Sequence, residues 1–306
     1  MISATGVRIG WTDLPAHVRA AVESILGSPV TAARSQAGGF SPGTADRVET
    51  ATGGRAFVKA VGTGLNAQSV EMARAEAHIT ANLPAAAPAP RMLGGFDDGE
   101  WVALVLEDIE GRHPRTPWEP DELDATATAL RQLADVLTPS PVADLGTAAD
   151  TIGADLVGWA NIAANPPDDL DAWAAGHLDE LRAAAVRAHA ALATGDTLAH
   201  CDIRADNILI RPDGRVVFVD WPWGCIGPAW LDTVLLALNV IVHGGAGDRL
   251  LTGMDVRRAT DVIAGFTGFF LDISRLPAPP GIPTVRAFQR AQGDALLPWL
   301  RGRMTG

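Results

Sequence analysis

The chain has no tyrosine, two cysteines, no surplus of basic residues and no apolar run long enough to cross a bilayer. Without tyrosine, that hydroxyl is not available for self-phosphorylation. Cys201 and Cys225 form neither a C-x-x-C pair nor a zinc-spaced cluster with histidine, so they read as reduced, buried thiols of a cytoplasmic protein. Met1 to Trp11 lack the basic start and apolar core of a secretory leader. The longest apolar stretch, Thr233 to Val242, is about half a membrane span and reads as a buried helix. The net charge is −12, which disfavours nucleic acid and anionic membrane as partners. The acidity suits a cationic substrate and serves solubility equally well. No internal repeat appears, and 306 residues with 47% apolar content can bury a sizeable core.

What is present centres on one stretch, Leu198-Ala199-His200-Cys201-Asp202-Ile203-Arg204-Ala205-Asp206-Asn207-Ile208-Leu209-Ile210, followed by Val216 to Val219 and then Asp220-Trp221. Two apolar runs flank a polar bend, and a third run ends in a carboxylate, which predicts strand, loop and hairpin. Asp202, Asn207 and Asp220 can then converge on one small volume. Such oxygen donors suit Mg²⁺, which keeps few protein ligands and takes the rest from water and phosphates. One carboxylate remains to accept a proton from an attacking hydroxyl, the order of groups that phosphoryl transfer requires. Asp-Asn turns also occur as ordinary local caps.

The upstream chain supplies candidates for the other parts. A short amphipathic helix is predicted over His17 to Leu26. Gln36 to Thr44 is a glycine-rich bend in which Ser41 and the backbone near Gly43 could approach phosphate oxygens. It lacks a P-loop ending, and such bends are also plain hairpins. Gly53-Gly54 marks a second hairpin, and its outgoing strand carries Lys59. Lys59 reads either as an edge-strand surface lysine or as the cation that neutralises nucleotide phosphates. Val70 to Leu83 reads as a helix carrying Glu71 and Glu76, which lie on different faces, so one alone can turn toward Lys59; we assign Glu76. Pro88 and Pro90 mark a linker, and Trp101 to Leu106 is a fully apolar strand. The abrupt change at Glu107 divides the chain into residues 1–106, β-rich, and 107–306, helical, with a ligand expected at the junction. Helices are expected over Leu123 to Leu137, Asp150 to Ala164, Leu170 to Leu192, Trp230 to His243, Asp255 to Phe270 and Val285 to Leu297. Asp232 reads as a helix cap or a brace for the catalytic loop, and Trp221 and Trp223 as the tryptophans nearest a substrate.

These motifs resemble the aminoglycoside phosphotransferase and choline kinase-like family, over about Gln36 to Leu238. The resemblance implies an α+β, bilobal protein-kinase-like fold with a small β-rich N-lobe and a larger α-helical C-lobe. It implies Asp202 as catalytic base, Asn207 and Asp220 as magnesium ligands, Lys59 and Glu76 as the phosphate-orienting pair, and Ser41 with its glycines over the phosphates. The base of ATP or GTP would meet main-chain atoms near Glu107 and Ile109. Arg204 would pair with the transferred group or lie exposed. The expected activity is transfer of a γ-phosphate to a hydroxyl of an aminoglycoside-like, amino-sugar or other hydroxylated amine, by a monomer or homodimer. Antibiotic resistance is one setting for it. Asp206 is placed to meet an amine. The sequence departs from the family at Cys201, where glycine is usual. Asp220-Trp221-Pro222 in place of Asp-Phe-Gly, with no Ala-Pro-Glu downstream, disfavours a protein kinase. A nucleotide-binding interaction module without turnover is the alternative.

Overall fold

The computed structural model describes residues 8–36 and 42–304. The N-terminal half holds helix α1 (Ala16–Leu26), strands β1 (Val30–Ser35), β2 (Thr44–Thr50) and β3 (Arg55–Gly62), helix α2 (Ala67–Asn82), and strands β4 (Met92–Asp97) and β5 (Trp101–Glu107). The strands form one antiparallel sheet in the order β1-β2-β3-β5-β4. The expected division between residues 106 and 107 falls at the last step of β5. β4 is a strand beyond those expected from the sequence: Gly94 and Gly95 interrupt its apolar pattern after the prolines that read as a linker.

Side-chain alternation assigns the two faces of this sheet. Ala56, Val58 and Ala60 of β3 pack with Ala103 and Val105 of β5 against Trp11, Leu14, Val18 and Val22. Val61 of β3 faces the other way, with Val102, Leu104 and Leu106 of β5, against Val70 of α2. Covering on both faces explains why β5 reads as an unbroken apolar run, and each fully buried Val or Leu there contributes roughly 1.5–3 kcal/mol. Lys59 shares the parity of Val61, so it points toward α2. Its strand is the middle one of five, which removes the edge-strand reading. Asn66 caps α2 by accepting from Ser69 N at 2.9 Å.

The C-terminal half contains α3 (Pro120–Val136), α4 (Ala148–Thr151), α5 (Gly158–Ala164), α6 (Ala172–Gly176), α7 (Leu178–Leu192), α8 (Leu231–Val242), α9 (Val256–Ile273) and α10 (Val285–Met304). Four short strands lie among them: β6 (Thr197–Ala199) pairs with β9 (Cys225–Gly227), and β7 (Ile208–Ile210) with β8 (Val216–Phe218). One apolar core joins α3 through α10 and includes Ile203, Ile208, Phe218 and Trp221, at and beside the loop from His200 to Asn207. The helix expected over Asp150 to Ala164 is broken by a 3₁₀ turn at Gly153–Asp155, and the next is divided at His177 between α6 and α7. α8 is the buried apolar helix anticipated from its sequence. Among the described residues, no helix is long and apolar enough to cross a membrane.

α5 crosses α9 so closely that a Cβ on Gly158 would stand 2.2 Å from the Gly268 carbonyl oxygen. Backbone cannot yield there as a side chain would. Gly158→Ala should therefore cost about 1–3 kcal/mol in denaturant unfolding, whereas Val157→Ala at the exposed neighbouring position should change stability by less than about 0.5 kcal/mol.

Candidate active site

The loop between β6 and β7 is held from below by two buried groups. Asp232, in the first turn of α8, accepts from the backbone N–H of His200 at 2.8 Å and of Cys201 at 3.0 Å, so of its two expected roles it is the brace. The His200 ring is fully buried and packs on Trp221, 4.5 Å between centroids. Its Nδ1 accepts from Asp202 N at 3.3 Å, which leaves Nε2–H to donate to the Val219 carbonyl at 3.0 Å. Cys201 has a left-handed backbone, φ 65°, and so does Asp220, φ 70°. Each costs of order 1–3 kcal/mol for a non-glycine residue and persists because its surroundings hold it. This conformation accounts physically for the glycine that is usual at Cys201. Both cysteines are free and buried, and burial pushes the Cys201 thiol well above its ordinary value.

Asp202, Arg204, Asp206 and Asn207 form one network. Asn207 Nδ2 donates to the Asp202 carbonyl at 2.9 Å and to its Oδ2 at 2.8 Å, which turns Asn207 Oδ1 away for another partner. Arg204 grips Asp206 with two hydrogen bonds of 3.0 Å and stands 3.3 Å from Asp202 Oδ1. It is thus ion-paired rather than exposed, and the Asp206 carboxylate expected to meet an amine is already engaged. Burial pushes the Asp202 carboxyl above its ordinary range; Arg204 opposes that shift without reversing it.

Lys59 lies between two carboxylates, paired with Glu76 of α2 and, at 2.5 Å, with Asp220 Oδ1 beyond β8. Glu71 instead meets Arg74 on the exposed face of α2. Burial alone would lower the Lys59 ammonium, but Asp220 and Glu76 hold it well above its usual value. Burial also resists ionisation of Asp220, and Lys59 outweighs it, keeping that carboxyl below its ordinary range. One ammonium between two carboxylates leaves a negative charge over.

Two cavities meet at this triad. One, of about 310 Å³, is lined by Lys59, Glu76, Asn207 and Asp220 together with Glu107 and Ile109 at the end of the sheet. Phe57, Leu106, Leu209 and Val219 supply apolar walls. Asp108 in that turn is bound by Arg47 and Arg55, each at 2.6 Å, while Glu107 pairs with Arg211 at 3.1 Å. The other cavity, of about 300 Å³, shares Lys59, Glu76 and Asp220 and carries Asp202 and Arg204. Trp221 is buried at the back of the first, and Trp223 lines the second. Arg8 lines both and feels Asp220 and Asp46; neither its spacing nor its neighbours in sequence marked it. Ser41 lies outside the described residues. Gly43 sits where a Cβ would be 2.4 Å from the Ala60 carbonyl oxygen, so glycine is needed for the loop to lie on β3.

The donor set fits a hard cation of low protein-ligand demand. Among the described residues no cluster of three or more His, Cys, Asp or Glu is arranged for a metal. Asn207 Oδ1 and the second oxygen of Asp220 offer the sparse oxygen ligation that Mg²⁺ accepts.

The profile of the phosphotransferase enzyme family, APH, matches residues 36–265, and the chain belongs to that family. Solved structures share the protein-kinase-like fold. Choline kinase LicA from Streptococcus pneumoniae superposes with a TM-score of 0.62 at 14% identity, over 92% of this chain and 98% of that one. A thermostable mutant of aminoglycoside phosphotransferase APH(4)-Ia, in ternary complex with ADP and hygromycin B, gives 0.59 at 14% identity, over 94% and 99%. An aminoglycoside phosphotransferase from Alicyclobacillus acidocaldarius gives 0.51 at 17% identity, over 90% and 92%. No curated protein matches the chain.

Removing the brace leaves two buried N–H groups unpaired. Asp232→Ala should lower unfolding free energy by about 2–4 kcal/mol, and Asp232→Asn, which keeps one acceptor, by roughly half as much. Equal losses in the two variants, measured by urea unfolding, would show that these two bonds do not hold the loop.

Proposed function

We propose that the protein transfers the γ-phosphate of ATP or GTP to a hydroxyl of a small molecule, with Mg²⁺. The observation that carries this reading is the meeting of two cavities at Lys59 and Asp220, with Asn207 on one side and Asp202 on the other. The nucleotide occupies the first, its base between the apolar walls and its edge toward the main chain of Glu107 to Ile109. Lys59, oriented by Glu76, neutralises the inner phosphates, and Arg8 adds a second positive charge at the junction. Asn207 and Asp220 would hold the metal, and bound there it would supply charge neutralisation for the phosphates.

Asp202 accepts the proton of the acceptor hydroxyl as its oxygen attacks, and Asn207 keeps that carboxylate in place through Nδ2. Arg204 acts as a positioning residue, since its guanidinium spans Asp202 and Asp206. Catalysis here consists of placement and charge stabilisation. A hydroxylated amine remains within this reading, in keeping with an acidic chain, and so does a role in antibiotic resistance. Free buried thiols and a nucleotide co-substrate support a cytoplasmic setting.

Asp202→Ala should reduce kcat by about 10²–10⁴-fold with Mg-nucleotide affinity retained, whereas Asp220→Ala should weaken that affinity itself. A normal rate in the first variant, read by coupled ADP release, removes Asp202 from the chemistry. The two carboxyls also predict a pH order. As pH falls, the raised Asp202 is protonated first and the lowered Asp220 last. Turnover should therefore decline while nucleotide binding persists, and simultaneous loss of both in pH-dependent kinetics and titrations would contradict the assignment.

A further inference from the structure

The second cavity carries information about the acceptor that the phosphate chemistry does not. Its deep walls are Ile152, Leu235 and Leu238, and its sides are Phe266, Phe270 and Phe288. The three phenylalanines at 266, 269 and 270 form a contiguous aromatic patch on α9, with ring centroids 5.4 to 6.5 Å apart.

Charge in the cavity is nearly balanced. Four carboxylates, Glu76, Asp155, Asp202 and Asp220, stand against three cations, Arg8, Lys59 and Arg204. Of the carboxylates, Glu76 and Asp220 pair with Lys59, and Asp202 faces Arg204. Asp155 at the exposed rim is the one left for an incoming amine, and desolvation alone raises its carboxyl. A ligand with several ammonium groups would have to leave most of them desolvated without partners, which is strongly unfavourable.

A neutral polar anchor is present as well. Gln292 of α10 is 4% exposed and lines the cavity, yet its side-chain amide makes no hydrogen bond among the described residues. An amide that faces the cavity offers both a donor and an acceptor, and a carbonyl, ether or second hydroxyl of a ligand would meet it.

We propose that this cavity takes a hydroxylated acceptor with an apolar, ring-bearing body, a neutral hydrogen-bonding group for Gln292 and no more than one amine, in place of a polycationic amino sugar. Which hydroxyl is phosphorylated rests on the phosphotransferase reading; what binds rests on the cavity alone. A volume of about 300 Å³ lies at the small end of ligand pockets and suits a compact ring system.

Calorimetric titration of the native protein, with and without MgATP, tests this with three probes. Propranolol is an aryl amino alcohol with one amine, choline has the same charge without rings, and kanamycin is a polycationic amino sugar. Propranolol should bind at least tenfold more tightly than either, with a negative heat-capacity change from apolar burial. Phe270→Ala and Phe288→Ala, each checked for a native-like melt, should weaken it at least fivefold and leave MgATP affinity as it was. Kanamycin or choline binding as tightly as propranolol, propranolol failing to bind, or no effect of either phenylalanine would each overturn the proposal. Phosphate transfer to kanamycin in that event would leave the phosphotransferase reading intact. Propranolol binding with the expected preference, but no MgATP binding, would remove the phosphotransferase reading and leave the ligand class standing.

Discussion

The structure depends on one ammonium group held by carboxylates from two parts of the chain. Lys59 comes from the sheet, Glu76 from the helix packed on it, and Asp220 from the far side of the cleft. Its position follows from strand parity: a one-residue slip of β3 would turn Lys59 into the apolar layer beneath α1, away from Glu76 and Asp220. The apolar packing of Ala56, Val58 and Ala60 against α1 therefore fixes the charge geometry on the opposite face.

From that point the cleft divides by chemistry. On one side lie apolar walls, the arginine-bound turn at Asp108 and the Asn207 amide; on the other lie Asp202 and an aromatic chamber. Two left-handed non-glycine residues stand between them, Cys201 in the loop after β6 and Asp220 just beyond β8. Asp232 below Cys201 and Lys59 beside Asp220 are the interactions that hold those conformations. The family assignment does not fix the small molecule that is phosphorylated; the second cavity is lined by residues of α8, α9 and α10.

Much of this was legible in the residue pattern because short-range rules governed it. The loop from His200 to Asn207, the hairpin before Asp220, the rule that only one of Glu71 and Glu76 can face Lys59, and the buried helix α8 all follow from spacing and periodicity; the pairing of Glu76 in particular rests on the family resemblance. What the pattern did not disclose depends on packing between distant segments. β4 is masked by Gly94 and Gly95, and the helical stretch around residues 150–192 divides into segments of which α5 and α7 both pack on the distant α9. Arg8 reaches the cleft from the start of the chain with no local sign of it. The engagement of Asp206 by Arg204 is a local contact between residues two apart that spacing alone left open, whereas the aromatic lining of the second cavity becomes visible only when α9 and α10 pack beside the loop.

The central claim is that Asn207 and Asp220 serve one cation on the nucleotide side of Lys59. Anomalous diffraction from a crystal grown with Mn²⁺ and a non-hydrolysable ATP analogue tests it most directly. The account predicts a manganese peak bound by Asn207 Oδ1 and an Asp220 carboxylate oxygen, with the analogue's phosphates beside Lys59; a peak away from both residues, or a nucleotide seated in the aromatic chamber, would contradict it.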